Sequence, residues 1–156
     1  MPEIQPIFQW PSVHVLIISI SRLALAAALG ALLGYQRESV HSTAGLRTHI
    51  LVCLGAAFFV LASVEAGQTS ADVSRVIQGI VTGVGFLGAG TILKVGDRLE
   101  VHGLTTAASI WLTAAIGVGA GLGHVWLPAL GAIIGWLVLG PIGRLEKSRS
   151  DKTSKA

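Results

Sequence analysis

Five apolar stretches alternate with short polar connections along the chain, each near the ~20 residues that a helix needs to cross a bilayer core. The first runs from about Val13 to Gly34, after the pair Trp10-Pro11, and the second from about His49 to Val64. The third covers Val73 to Leu93, the fourth Leu104 to Leu122, and the fifth Val125 to about Ile142, after a Gly123-His124 turn. Hydrocarbon offers no water to bond the backbone, so runs of this kind close their hydrogen bonds as helices. The pattern predicts an all-α membrane protein, a five-transmembrane-helix bundle. Residues 1-12 are expected to form an N-terminal interfacial segment, 13-142 the transmembrane domain and 143-156 a basic tail.

Cations set the expected orientation, because cytoplasmic loops retain an excess of Lys and Arg. The connection 35-48 carries Arg37 and Arg47, and the connection 94-103 carries Lys94 and Arg98. Arg144, Lys147, Arg149, Lys152 and Lys155 follow the last span. The opposite side holds only Arg75, and Arg22 falls inside the first span. Five crossings then place the N-terminus outside and the tail in the cytoplasm, as in a multi-pass protein of a bacterial inner membrane. The only charge before Val13 is Glu3, so the first run is expected to be a retained span and not a signal peptide.

Composition narrows the class. Hydrophobic residues make up 52% of the chain and charged ones 12%, about half the charged share of an ordinary soluble domain. Lipid is therefore an expected partner and nucleic acid is not, since five of the eleven cations sit in the tail and form no basic groove. The one cysteine, Cys53, lies in an apolar run and is expected to pack.

Twenty glycines fall mostly within the apolar runs, many spaced four apart: Gly30 and Gly34, Gly79 and Gly83, Gly117 and Gly121, Gly131 and Gly135. In lipid, helices associate through close backbone contact, which glycine permits. Gly85, Gly88 and Gly90 extend the set in the third span. Gly83-Val84-Gly85-Phe86-Leu87-Gly88 matches a dinucleotide fingerprint, but that motif needs a preceding strand and a helix opening at its glycines. Here it sits inside an apolar run, so nucleotide binding is not expected.

Polar residues within the spans are the candidate chemistry. Thr106, Ser109, Thr113 and Gly117 share one narrow face of the fourth span, readable as an interhelical seam or as one wall of a polar path. Asp72, Arg75, Gly79 and Thr82 share a face at the start of the third, with Gln78 beside them. Asp72 suits a helix N-terminus, and Asp72 and Gln78 are also candidate partners for Arg22 in an intramembrane network. Arg37, Glu38 and Arg47 bracket a short cytoplasmic loop and form a second candidate cluster. His14, His41, His49, His102 and His124 scatter near span ends and read as interfacial. No catalytic set, metal site or cofactor is expected.

Taken together, these segments resemble the transmembrane domain of the MgtC/SapB family of bacterial inner-membrane proteins. The resemblance rests on Arg22-Leu23, Leu29-Gly30-Ala31-Leu32-Leu33-Gly34 with Arg37-Glu38, and Ala44-Gly45-Leu46-Arg47-Thr48-His49. It continues through Asp72-Val73-Ser74-Arg75-Val76, Gly83 to Gly90, and His102-Gly103-Leu104-Thr105-Thr106-Ala107-Ala108 with Trp111. These motifs span about residues 19-125 in family order. The family pattern usually has Glu where this chain has Gln36, and longer members append a soluble domain where this chain has its basic tail. The resemblance implies a regulator of membrane ion and energy homeostasis, tied to growth in low magnesium and to virulence. It implies action on other integral membrane proteins, such as the membrane sector of the ATP synthase, while the four-residue glycine spacing adds expected self-association as a dimer. An alternative is a small dimeric ion or proton transporter using Arg22, Asp72, Gln78 and the Thr106/Ser109/Thr113 face.

Overall fold

The computed structural model describes residues 10-39, 42-94 and 101-142. Most of the interfacial segment, His41, Arg98 and the basic tail lie outside them. Helix α1 runs Val13–Ser39, α2 Leu46–Glu65, α3 Ser70–Gly90, α4 Leu104–Gly121 and α5 Trp126–Leu137. The last continues into a π-helical turn, Val138–Ile142, at Pro141. Proline has no N–H to donate, and a wider turn accommodates the lost bond. Between α3 and α4, strands β1 (Leu93–Lys94) and β2 (Val101–His102) pair antiparallel as a two-residue ladder.

Helices α1 to α4 are each long and apolar enough to cross a membrane, while the apolar stretch of α5, Trp126–Pro141, is shorter. Their outward faces carry Phe58, Phe59, Phe86 and Trp111 half-exposed or more, which water would penalise and lipid does not. This is a multi-pass membrane protein.

Local chemistry explains where the helices begin and end. With 27 residues, α1 rises about 40 Å, longer than the ~30 Å hydrocarbon core of a bilayer. The expected second span begins at His49, but α2 starts at Leu46, because the Glu38 carboxylate accepts the Leu46 N–H at 2.7 Å. Thr69 caps α3: its hydroxyl accepts the Asp72 N–H at 3.3 Å and donates to the Asp72 carboxylate at 2.6 Å. The hydroxyl thus serves the first-turn amide of Asp72, and the carboxylate holds that hydroxyl in place. Gly103, at φ +95°, reverses the chain into α4, and Gly123, at φ +87°, reverses it out.

The centre of the bundle is α2, with α1 on one side and α4 on the other. Ala26, Leu33, Cys53, Ala57, Ile116, Ala120 and Ala132 form one buried cluster, and Ala44, Ala56, Val84, Ile110 and Ala114 a second. Small side chains let the three backbones approach closely. By contrast, α3 buries only Val73, Val84 and Gly88. It flanks the core and contributes little to it.

Candidate functional site

The C-terminal end of α1 and the N-terminal ends of α2 and α4 meet in a polar junction. One guanidinium nitrogen of Arg37, Nη2, donates to Ser42 Oγ and to Thr106 Oγ1, each at 2.7 Å. The two hydroxyls are themselves 2.9 Å apart. The buried Gln36 side chain packs against Gly140 instead, and its Oε1 has no hydrogen-bond partner. Of the expected loop cluster, Arg37 alone enters the junction; Glu38 caps α2 and Arg47 is exposed.

One turn further along α2 from this junction, His49 is fully buried inside the bundle and not at its surface as its position near a span end suggested. Its Nδ1 lies 2.9 Å from Gly45 O and its Nε2 3.1 Å from Ser109 Oγ. A carbonyl only accepts, so Nδ1 carries the proton. Nε2 of the neutral ring is then an acceptor, and the single Ser109 proton is shared between it and Thr106 O, 2.8 Å away. Thr113 Oγ1 donates to Ser109 O at 2.8 Å. Thus Thr106, Ser109 and Thr113 are all buried and all hydrogen-bonded. Ser42 and His49 are the partners that sequence reasoning missed. The signal was the row of three hydroxyls on α4, which in a buried position requires partners on a facing helix.

Arg22 lies toward the other side of the bundle, apart from this junction. Its Nη1 donates to Gly121 O at 3.1 Å, and the guanidinium rests against Gly123, whose φ of +87° disfavours any other residue. A cation at the carbonyl end of α4 meets the negative end of the helix dipole. Neither Asp72 nor Gln78 receives it. Asp72 is held by Thr69 and by Arg75, at 3.4 Å. Gln78 and Thr82 are exposed, Thr82 donating to Gln78 O at 3.0 Å. The expected polar residues of the first, third and fourth spans therefore occupy three separate places. Replacing Arg22 with alanine leaves the last α4 carbonyls without this donor and is expected to cost about 1 kcal/mol, read as a lowered thermal midpoint in detergent.

The glycines divide sharply. A methyl group at Gly30 would come within 2.8 Å of His49 O, and one at Gly34 within 2.8 Å of Leu46 Cα. At Gly117 it would collide with Cys53 O, and at Gly121 it would meet Ala57 O at 2.6 Å. These four make the α1–α2 and α2–α4 seams. On α3, Gly88 touches Ala107, but Gly79, Gly83, Gly85 and Gly90 have nothing within 4 Å of a would-be side chain. Beside them, an apolar groove of about 410 Å³ runs between α2 and α3, lined by Leu51, Gly55, Phe59, Gly83 and Leu87 among others.

The MgtC family profile matches residues 23–148. SrpB of Synechococcus elongatus is 42% identical over 137 residues, 81% of this chain and 75% of that protein. MgtC of Brucella abortus is 52% identical over 103 residues, 64% of this chain and 42% of its own length. YhiD of Escherichia coli K12, described by its name as a candidate magnesium transporter, is 42% identical over 127 residues, 77% of this chain and 58% of its own. The chain thus spans about half the length of MgtC and YhiD. No solved structure matches it. With a profile match over most of its length and relatives at this level of identity, the chain belongs to the MgtC family.

Proposed function

We propose that this chain is an inner-membrane regulator of ion homeostasis, tied to adaptation to low magnesium, which acts by binding another integral membrane protein through the glycine face of α3. One observation carries the reading: Gly79, Gly83 and Gly90 share a face of α3 and are open, although such glycines in lipid serve close helix contact. The same helix adds little to the core, so a partner can engage it without opening the α1–α2–α4 seams. Relatives bearing the MgtC name, and one named for magnesium transport, support the physiological setting. The membrane sector of the ATP synthase is a partner of the right kind, and self-association as a dimer uses the same face. In this reading the N-terminus is outside and the basic tail lies in the cytoplasm, where the cation bias puts them.

The transporter reading has less to stand on. The α4 hydroxyls are engaged with His49, Arg37, Ser42 and backbone carbonyls, and the grooves on both sides of α3 are lined mainly by apolar side chains.

Complementation tests the proposal. In a strain that needs this chain for growth at low magnesium, Gly79→Leu and Gly83→Leu are expected to abolish rescue while the protein accumulates at its normal level. Full rescue by the double variant would remove the α3 face from the function.

A further inference from the structure

We propose that the junction at Arg37 is a binding site for a phosphate group, presented either by a phospholipid headgroup or by free phosphate. The charge at this place is unbalanced. Arg37 is partly buried, its Nε is buried without a hydrogen-bond partner, and Nη2 meets only neutral hydroxyls. The ion pair of Arg75 with Asp72 is at the start of α3 and does not involve Arg37. The adjacent acid, Glu38, is turned to the Leu46 N–H. A guanidinium carried to a membrane interface is ordinarily matched by an anion, and among the described residues no carboxylate pairs with Arg37.

The surroundings add positive potential. Arg37 lies where α2 and α4 begin, and these starts are at Gly45 and Gly103, neither of which caps its helix with a side chain. The first-turn amides of α4 therefore remain uncapped beside Thr106, and the positive end of that helix dipole lies by the guanidinium, whereas the α2 end is already met by Glu38. An arginine fork, two hydroxyl donors and open helix-end amides are donors suited to a tetrahedral oxyanion. An arriving phosphate oxygen would replace the neutral hydroxyls as the partner of Nη2, with Ser42 and Thr106 turning their protons outward and the guanidinium shifting so that the buried Nε–H gains an acceptor. Arg37 is the third residue from the end of α1, so a helix that spans the bilayer carries it toward the interface. This inference is independent of the α3 reading.

The test uses the full chain purified in a maltoside detergent, which contains no phosphate. Phosphatidylglycerol, diacylglycerol with the same chains, and inorganic phosphate are titrated separately, reading thermal midpoint and phosphorus NMR line width. Phosphatidylglycerol is expected to raise the midpoint and broaden the resonance, with diacylglycerol inactive. Arg37→Gln is expected to weaken binding about tenfold, as loss of a charge-assisted contact implies. Arg75→Gln, an equal loss of charge elsewhere, is expected to leave it intact. If Arg37→Gln does not fold, Thr106→Val serves in its place, keeping the volume and removing the hydroxyl. A response to inorganic phosphate assigns the site to the free anion; a response to phosphatidylglycerol alone assigns it to lipid. No response to either, or equal weakening by Arg37→Gln and Arg75→Gln, overturns the proposal.

Discussion

Gly117→Leu and Gly121→Leu are expected to prevent stable folding, whereas Gly79→Leu and Gly83→Leu leave the isolated protein as stable as the parent. Overpacking a close contact costs about 1–3 kcal/mol even where side chains can shift. Here the obstacle is backbone: Cys53 O faces Gly117, and Ala57 O and Ala57 Cα lie 2.6 and 3.0 Å from a methyl group at Gly121. Neither carbonyl can move without displacing α2, which is packed against α1 on its other side through Gly30 and Gly34. A leucine side chain adds three carbons beyond that first atom, so separation of α2 from α4 is the only relief. At Gly79 and Gly83 no atom lies within 4 Å, and a leucine there has open space outside the helix seams. Thermal midpoints and monodispersity in detergent, compared for the four variants, check the contrast.

The second large effect is expected at His49. Its ring is fully buried and joins α2 to α4 through Ser109 while also holding Gly45 O. His49→Ala removes two hydrogen bonds and leaves a cavity at the tightest part of the bundle, for a loss of about 2–4 kcal/mol. Ser109→Ala removes one hydroxyl and keeps the packing, so about 1 kcal/mol is expected. His14→Ala, at an exposed position near the start of α1, is expected to change nothing. Equal midpoints for the His49 and His14 variants would show that the α2–α4 junction carries no stability.

Much of the helix order was legible from apolar runs, because a bilayer demands long uninterrupted stretches and the chain supplies them. The boundaries were less so. Starting the second span at His49 respected the polarity of Arg47 and Thr48, but a glutamate eight residues earlier caps the backbone at Leu46, a contact no local pattern displays. The glycine pairs show the limit more plainly. Gly79-x-x-x-Gly83 and Gly117-x-x-x-Gly121 have the same spacing, and only tertiary placement distinguishes a filled seam from an open face. Arg22 offers the same lesson. Its cost was evident from sequence, and acidic or amide side chains were natural partners to seek. The structure gives it a backbone carbonyl, at a helix end formed by the positive φ of Gly123. His49 was read by its nearness to a span end, when the row of hydroxyls on α4 already called for a buried partner.

Photo-crosslinking in native membranes tests the proposed role of α3 most directly. A photoreactive side chain placed at Gly83 is expected to capture another integral membrane protein, or a second copy of this chain, as a discrete adduct. The same group at Phe58, on the outward face of α2, should label lipid. Only lipid adducts from position 83, indistinguishable from those at 58, would contradict the idea that this glycine face is an interaction surface.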